Sequence, residues 1–143
     1  MGGGQTERVV ERISWEELHQ RLHVLLPLVR GWNPDCLIAL NAEGLILAGL
    51  LNTIWPCEVR PVAVQEDPWQ ILWERIGEVA GKRVVVLGRH FDDRLRERVE
   101  LFLKERQALS VVKMVIVGRE SDYSCFPEKG AEVLLPWEEH AHR

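Results

Sequence analysis

The chain has 143 residues, 46% of them hydrophobic and 28% charged, a composition that fits one globular domain and excludes a disordered or fibrous chain. The 18 Lys and Arg against 22 Asp and Glu leave a net charge of -4 with no basic block to hold a phosphate backbone, so no nucleic acid partner is expected. No apolar run approaches the roughly 20 residues a bilayer requires, and Met1 to Gln5 lacks the charged start and apolar centre of a signal peptide, so no membrane partner is expected and the anticipated compartment is the cytoplasm.

Residues 1–12 read as a flexible tail, 13–138 as a single domain and 139–143 as a second tail. Ser14-Trp15-Glu16-Glu17 is a capping box, in which the Ser side chain accepts the third helical N–H and the Glu reaches back to the Ser N–H. The helix it opens carries Trp15, Leu18, Leu22, Leu25, Leu26 and Val29 at helical spacing, and Gly31 with Pro34 closes it. His19 and His23 share one stripe of that helix, which reads as a solvated face. Cys36 to Leu40 is a continuous apolar run that suits a strand covered on both faces. Gly44 to Leu51 is apolar almost all round and predicts a helix buried against the sheet and against a second subunit, so a homodimer is expected.

Val59 to Val64 predicts a second strand, with Pro61 placing it near an edge. Trp69 to Val79 reads as a helix ended by Gly81, and Trp55, Trp69 and Trp73 are either core residues or anchors for a protein partner. Val84 to Leu87 has three β-branched residues in a row and predicts a central strand. Asp92 caps a helix reaching Arg106, with Leu95, Val99, Phe102 and Leu103 as its apolar stripe. Val111 to Val117 is a further buried strand, and Glu132 to Leu135 a short last one before Pro136. The alternation predicts an α/β fold, a mainly parallel sheet flanked by helices and joined by right-handed crossovers. Cys36, Cys57 and Cys125, with no CxxC pair among them, read as buried free thiols. His140 and His142 form a His-Ala-His that reads as a loose end, and no metal site is expected.

Ligands of open α/β sheets bind at the carboxyl ends of the strands, here the loops after Leu40, Val64, Leu87 and Val117. Four segments in order, Ile13-Ser14-Trp15-Glu16-Glu17-Leu18, Leu40-Asn41-Ala42-Glu43-Gly44-Leu45-Ile46, Gly81-Lys82-Arg83-Val84-Val85-Val86-Leu87 and Leu134-Leu135-Pro136-Trp137-Glu138, resemble a small type I phosphoribosyltransferase of the bacterial group acting on 6-oxopurines. The resemblance spans Ile13 to Glu138 and rests on framework segments. It implies the phosphoribosyltransferase fold and an activity in which ribose 5-phosphate passes from phosphoribosyl pyrophosphate (PRPP) to a purine base with Mg²⁺ assistance.

Members of that family hold PRPP with a strand ending in two acidic residues, followed by a loop of small residues and threonines at a helix start, where free amides and the dipole favour a phosphate. In the matching stretch here, Gly88 and Arg89 replace the acids, and the loop reads His90-Phe91-Asp92-Asp93-Arg94 without threonine or glycine. Asp92 and Asp93 set carboxylates where the phosphate would lie, and like charges about 4 Å apart repel by roughly 1 kcal/mol even in water. A helix cap explains the pair more simply than a shifted acidic pair does. In the loop matching the pyrophosphate contact, Asn41-Ala42-Glu43-Gly44, only Gly44 survives: Ala42 removes a donor and Glu43 reverses a charge. The mobile hood of the family has only the short Trp-rich segment between Val64 and Gly81 to form it. On the base side, Trp137 falls where the family stacks a purine and Arg119 where it donates to the purine oxygen; the alternative is a sheet-end aromatic and a solvated charge. The expected function is that of a phosphoribosyltransferase-like protein that has lost catalysis and acts by binding a purine, a nucleotide or a protein. The alternatives are an active enzyme with an atypical PRPP site and a structural subunit of an active relative. No cofactor is expected; Mg²⁺ and PRPP belong to the active alternative alone.

Overall fold

The computed structural model describes residues 10–119, 121–130 and 132–138; His140 and His142 and the second expected tail lie outside them. Helix α1, Trp15–Trp32, starts at the capping box: the Ser14 hydroxyl accepts the Glu17 N–H at 3.1 Å and the Glu17 carboxylate accepts the Ser14 N–H at 2.9 Å. It ends at Asn33, whose φ of 62° takes the left-handed turn that stops the helix. Strand β1, Cys36–Leu40, is buried along its whole length, as a strand covered on both faces must be. Then come α2 (Asn41–Asn52), β2 (Val59–Glu66), β3 (Trp69–Glu74), β4 (Arg83–Gly88), α3 (Asp93–Glu105), β5 (Ser110–Val117), β6 (Tyr123–Phe126) and a 3₁₀ turn at Pro136–Glu138.

The six strands lie in the order β3-β2-β1-β4-β5-β6. All neighbours pair in parallel except β2 with β3. Alternate residues of β1 and β4 divide between two cores. Leu37, Ala39, Val85 and Leu87 pack with Leu18, Leu22 and Val29 of α1 and Leu47 and Leu51 of α2. Cys36, Ile38, Leu40, Val84 and Val86 pack with Leu95, Val99 and Leu103 of α3. The period of two within each strand therefore separates a two-helix layer from a one-helix layer.

Two expected elements are corrected. Trp69 to Val79 is not a helix: its first six residues form the antiparallel edge strand β3, joined to β2 by the tight Asp67-Pro68 link. Trp69, Ile71 and Trp73 alternate with Gln70, Leu72 and Glu74, a period of two with strand-forming types. Glu132 to Leu135 makes no strand either. It contributes one bridge, Leu134 to Arg12, closed by Ile13 N–H to Leu134 O at 2.9 Å and Leu134 N–H to Glu11 O at 2.8 Å, before Pro136 turns the chain. Among the described residues the last strand is β6, which the sequence pattern did not indicate. Pro61 does lie near the edge, in the strand next to it, just before the first β3-paired residue Val62. Cys36 and Cys125 are buried and Cys57 is half-buried, all free, and burial pushes the Cys125 thiol up to about 12. Gly44, Leu47, Ala48 and Leu51 of α2 turn into the subunit's own core, leaving Leu45 as the exposed large apolar residue of that helix.

Candidate functional site at the carboxyl edge of the sheet

At the carboxyl edge β1 passes into α2 without a loop. Asn41 makes the turn with φ 59°, and its side-chain oxygen accepts the Val64 N–H at 2.8 Å, tying the start of α2 to β2. A Cβ on Gly44 would strike the Leu87 carbonyl oxygen and come within 2.9 Å of the Ala39 carbonyl carbon. Glycine is required there so that α2 can lie on the backbones of β1 and β4. Ala42 and Glu43 occupy the first turn beside it, with Ala42 exposed and Glu43 half-buried.

The stretch after β4 is built around an aromatic ring. Phe91 is 1% exposed and packs in the α3-side core. A Cβ on Gly88 would lie 3.4 Å from two carbons of that ring and 3.7 Å from Leu40, so Gly88 makes the floor on which Phe91 rests. Asp92 caps α3: its Oδ1 accepts the Leu95 N–H at 2.8 Å, taking one of the free amides at the helix start. Asp93 pairs with Arg96 at 2.8 Å, one turn along. His90 lies against Gly118, whose φ is 104° and whose added Cβ would meet the His90 ring at 2.6 Å.

Arg89 turns away from this loop. Its Nη1 meets Glu138 Oε2 at 2.5 Å and its Nη2 donates to Val133 O at 2.8 Å, while Glu138 Oε1 accepts the Leu135 N–H at 3.1 Å. The pair is about four-fifths buried on both sides, so little water competes for it. It fastens the Pro136–Glu138 turn to the end of β4 and with it sets Trp137, which is half-buried, packed on the core and 5.5 Å from the Trp15 ring.

Two clefts open at this edge. One of about 470 Å³ is lined by His90, Asp92, Asp93, Gly118, Arg119 and Lys129, among others. The other, about 230 Å³, lies between Glu66, Asp67 and Trp69 on one side and Asp92, Arg94 and Arg98 on the other. Glu66 is exposed, yet desolvation by the neighbouring cleft wall, with Asp92 next in weight, pushes its carboxyl up, and His90 and Arg94 offset part of the shift. Arg119 is exposed in the larger cleft, which Trp137 does not line, so the two residues matched to the base side do not face one cavity. Among the described residues no group of three or more His, Cys, Asp and Glu is arranged to hold a metal ion. Sequence reasoning missed Glu138 as the partner of Arg89, although it stands beside Trp137, and missed Glu66, whose signal is its place at the carboxyl end of β2.

No family model matches the sequence, and no curated protein sequence matches it. Solved structures do. A purine phosphoribosyltransferase from Pyrococcus horikoshii Ot3 superposes with a TM-score of 0.76 over 90% of this chain and 94% of that one, at 22% identity. The fold is that of the type I phosphoribosyltransferases. A hypoxanthine-guanine phosphoribosyltransferase from Bacillus anthracis matches with a TM-score of 0.69, 16% identity, and 86% and 85% of the two chains covered. The hypoxanthine phosphoribosyltransferase of Trypanosoma cruzi matches with a TM-score of 0.65, 16% identity and 81% of each chain covered. At these identities the phosphoribosyltransferase likeness is one of fold, and function rests on the site itself.

Proposed function

We propose that the chain is a phosphoribosyltransferase-fold binding protein that does not transfer a phosphoribosyl group. The observation that carries this reading is the Phe91 ring, 1% exposed and resting on Gly88, the position that the resemblance matches to one of the family's two acidic residues. The residues present do not fit a sugar phosphate with Mg²⁺-pyrophosphate. The Leu95 amide that a phosphate would take is already held by Asp92, the Arg89 guanidinium is spent on Glu138, and Asn41-Ala42-Glu43 offers an acid and no cation. Transfer of this kind depends on holding the leaving charge and the ribose in place, which needs a preorganised cation and donor set.

The ligand in this proposal is a purine base or nucleotide received at the carboxyl edge. Arg119, the exposed donor just after β5, lies in the larger cleft and is the residue proposed to meet it; Trp137, half-buried in the segment matched to the family's base side, faces elsewhere and would have to turn to stack on the same ligand. That the three structural neighbours are named as purine, hypoxanthine-guanine and hypoxanthine phosphoribosyltransferases supports the choice of ligand class. Association with a second copy or another protein belongs to the same proposal, with Leu45 as the large apolar residue α2 leaves exposed. The test is incubation of the chain at high concentration with PRPP, Mg²⁺ and adenine, guanine, hypoxanthine or xanthine. No nucleotide is expected above background, and turnover of even about one per second, within the ordinary enzyme range, refutes the proposal.

A further inference from the structure

The geometry points to a transition-metal chelate on the outer face of α1, formed by His19 and His23, far in sequence from the carboxyl-edge loops and independent of the function proposed above. The two rings stand four residues apart on one helix face, centroids 4.6 Å apart and planes at 83°. A metal bound to an imidazole nitrogen at about 2.0–2.1 Å lies roughly 3.2 Å from the ring centroid, so two rings bound at a right angle have centroids about 4.5 Å apart and two bound tetrahedrally about 5.2 Å apart. The rings now stand edge to face, and their 4.6 Å spacing is within the span that one ion can bridge once they turn. Both residues are exposed, and neither makes a hydrogen bond or ion pair among the described residues, so each ring turns about χ2 at little cost to present a nitrogen.

The scaffold under the pair is rigid. Leu18, Leu22 and Leu26 of the same helix are buried, and the capping box fixes its start, so the two Cα positions are held before any metal arrives. Glu16 and Glu17 in the first turn offset the positive end of the helix dipole beneath an incoming cation. With no third His, Cys, Asp or Glu joining the pair among the described residues, the remaining coordination positions are left to water or an exchangeable ligand. Two neutral nitrogen donors select the first-row divalent ions that favour imidazole, Ni²⁺, Cu²⁺ and Zn²⁺, over Mg²⁺ and Ca²⁺, which take oxygen.

The experiment is calorimetric titration of Ni²⁺ and Zn²⁺ into the full chain carrying His140→Asn and His142→Asn, which removes the terminal His-Ala-His as a competing site. One equivalent per chain is expected, with at least tenfold weaker binding in His19→Asn and in His23→Asn and no saturable binding of Mg²⁺. Circular dichroism of both single variants should match the parent, since exposed rings are replaced. Binding that persists unchanged in either variant, or that vanishes once His140 and His142 are replaced, overturns the inference.

Discussion

Replacing Phe91 by Ala tests whether the loop after β4 is filled from within. The ring is 1% exposed and rests on Gly88, with carbons 3.4 Å from where a Cβ would stand. Truncating a buried Phe to Ala removes its transfer energy and leaves a cavity, together worth about 3–5 kcal/mol. A domain of this kind has roughly 5–15 kcal/mol in total, so a large share of the stability is at stake. With a urea slope of about 2 kcal/mol/M, a 4 kcal/mol loss lowers the unfolding midpoint by about 2 M. Phe91→Leu keeps most of the volume and should cost less than about 1.5 kcal/mol. Urea unfolding followed by far-ultraviolet circular dichroism reads both. A loss below about 1 kcal/mol for Phe91→Ala would mean the ring contributes no core packing, that the loop is open, and that the case against a phosphate there fails.

Gly118→Ala should cost about 2 kcal/mol, since φ of 104° strains any side chain and the new Cβ meets the His90 ring at 2.6 Å. Calorimetry should show the thermal midpoint falling by roughly 5–10 °C, and by less in a His90→Ala background; equal losses in the two backgrounds refute the contact. Glu66 gives a pH signature. Its folded pKa is raised above 4.5, so the folded state binds the proton more tightly, and stability is lost as pH rises from about the unfolded value through the folded one. Glu66→Gln should therefore raise the melting temperature at pH 7 and leave it unchanged near pH 3.5, where both states are protonated; a variant less stable than the parent at pH 7 contradicts the sign.

The parallel core was legible because β1, β4 and β5 are nearly continuous apolar runs, and a strand buried on both faces has no other pattern to show. Both caps were legible too, at Ser14 and Asp92, because capping acts over three residues and is written locally. The failures came where the period was ambiguous or the partner distant. In Trp69 to Glu74 the two tryptophans stand four residues apart, a spacing that also fits a helical stripe, and only pairing with β2 decides it. Arg89 read simply as a lost acid. That it grips Glu138, 49 residues on, depends on a fold that brings the chain end back to β4. Gly44 was matched as a remnant of a pyrophosphate loop, whereas the backbones of β1 and β4 require it for packing whatever the loop binds.

In this chain, the segment that the family resemblance offers as a movable cover is committed to the sheet as β3, hydrogen-bonded to β2 along Val62 to Glu66. Covering the clefts with this segment would require breaking that hairpin, so it does not shut the carboxyl edge off from water. Charges there act through water and salt over a screening length of about 8 Å, not in a dry dielectric that amplifies them. A ligand at Arg94, Arg98 or Arg119 is thus held by contacts that rising ionic strength weakens, and it exchanges without waiting for any part of the sheet to open. The same commitment leaves Leu72 and Trp73, each about half exposed, on a strand edge unpaired among the described residues, the kind of edge to which a further strand can add.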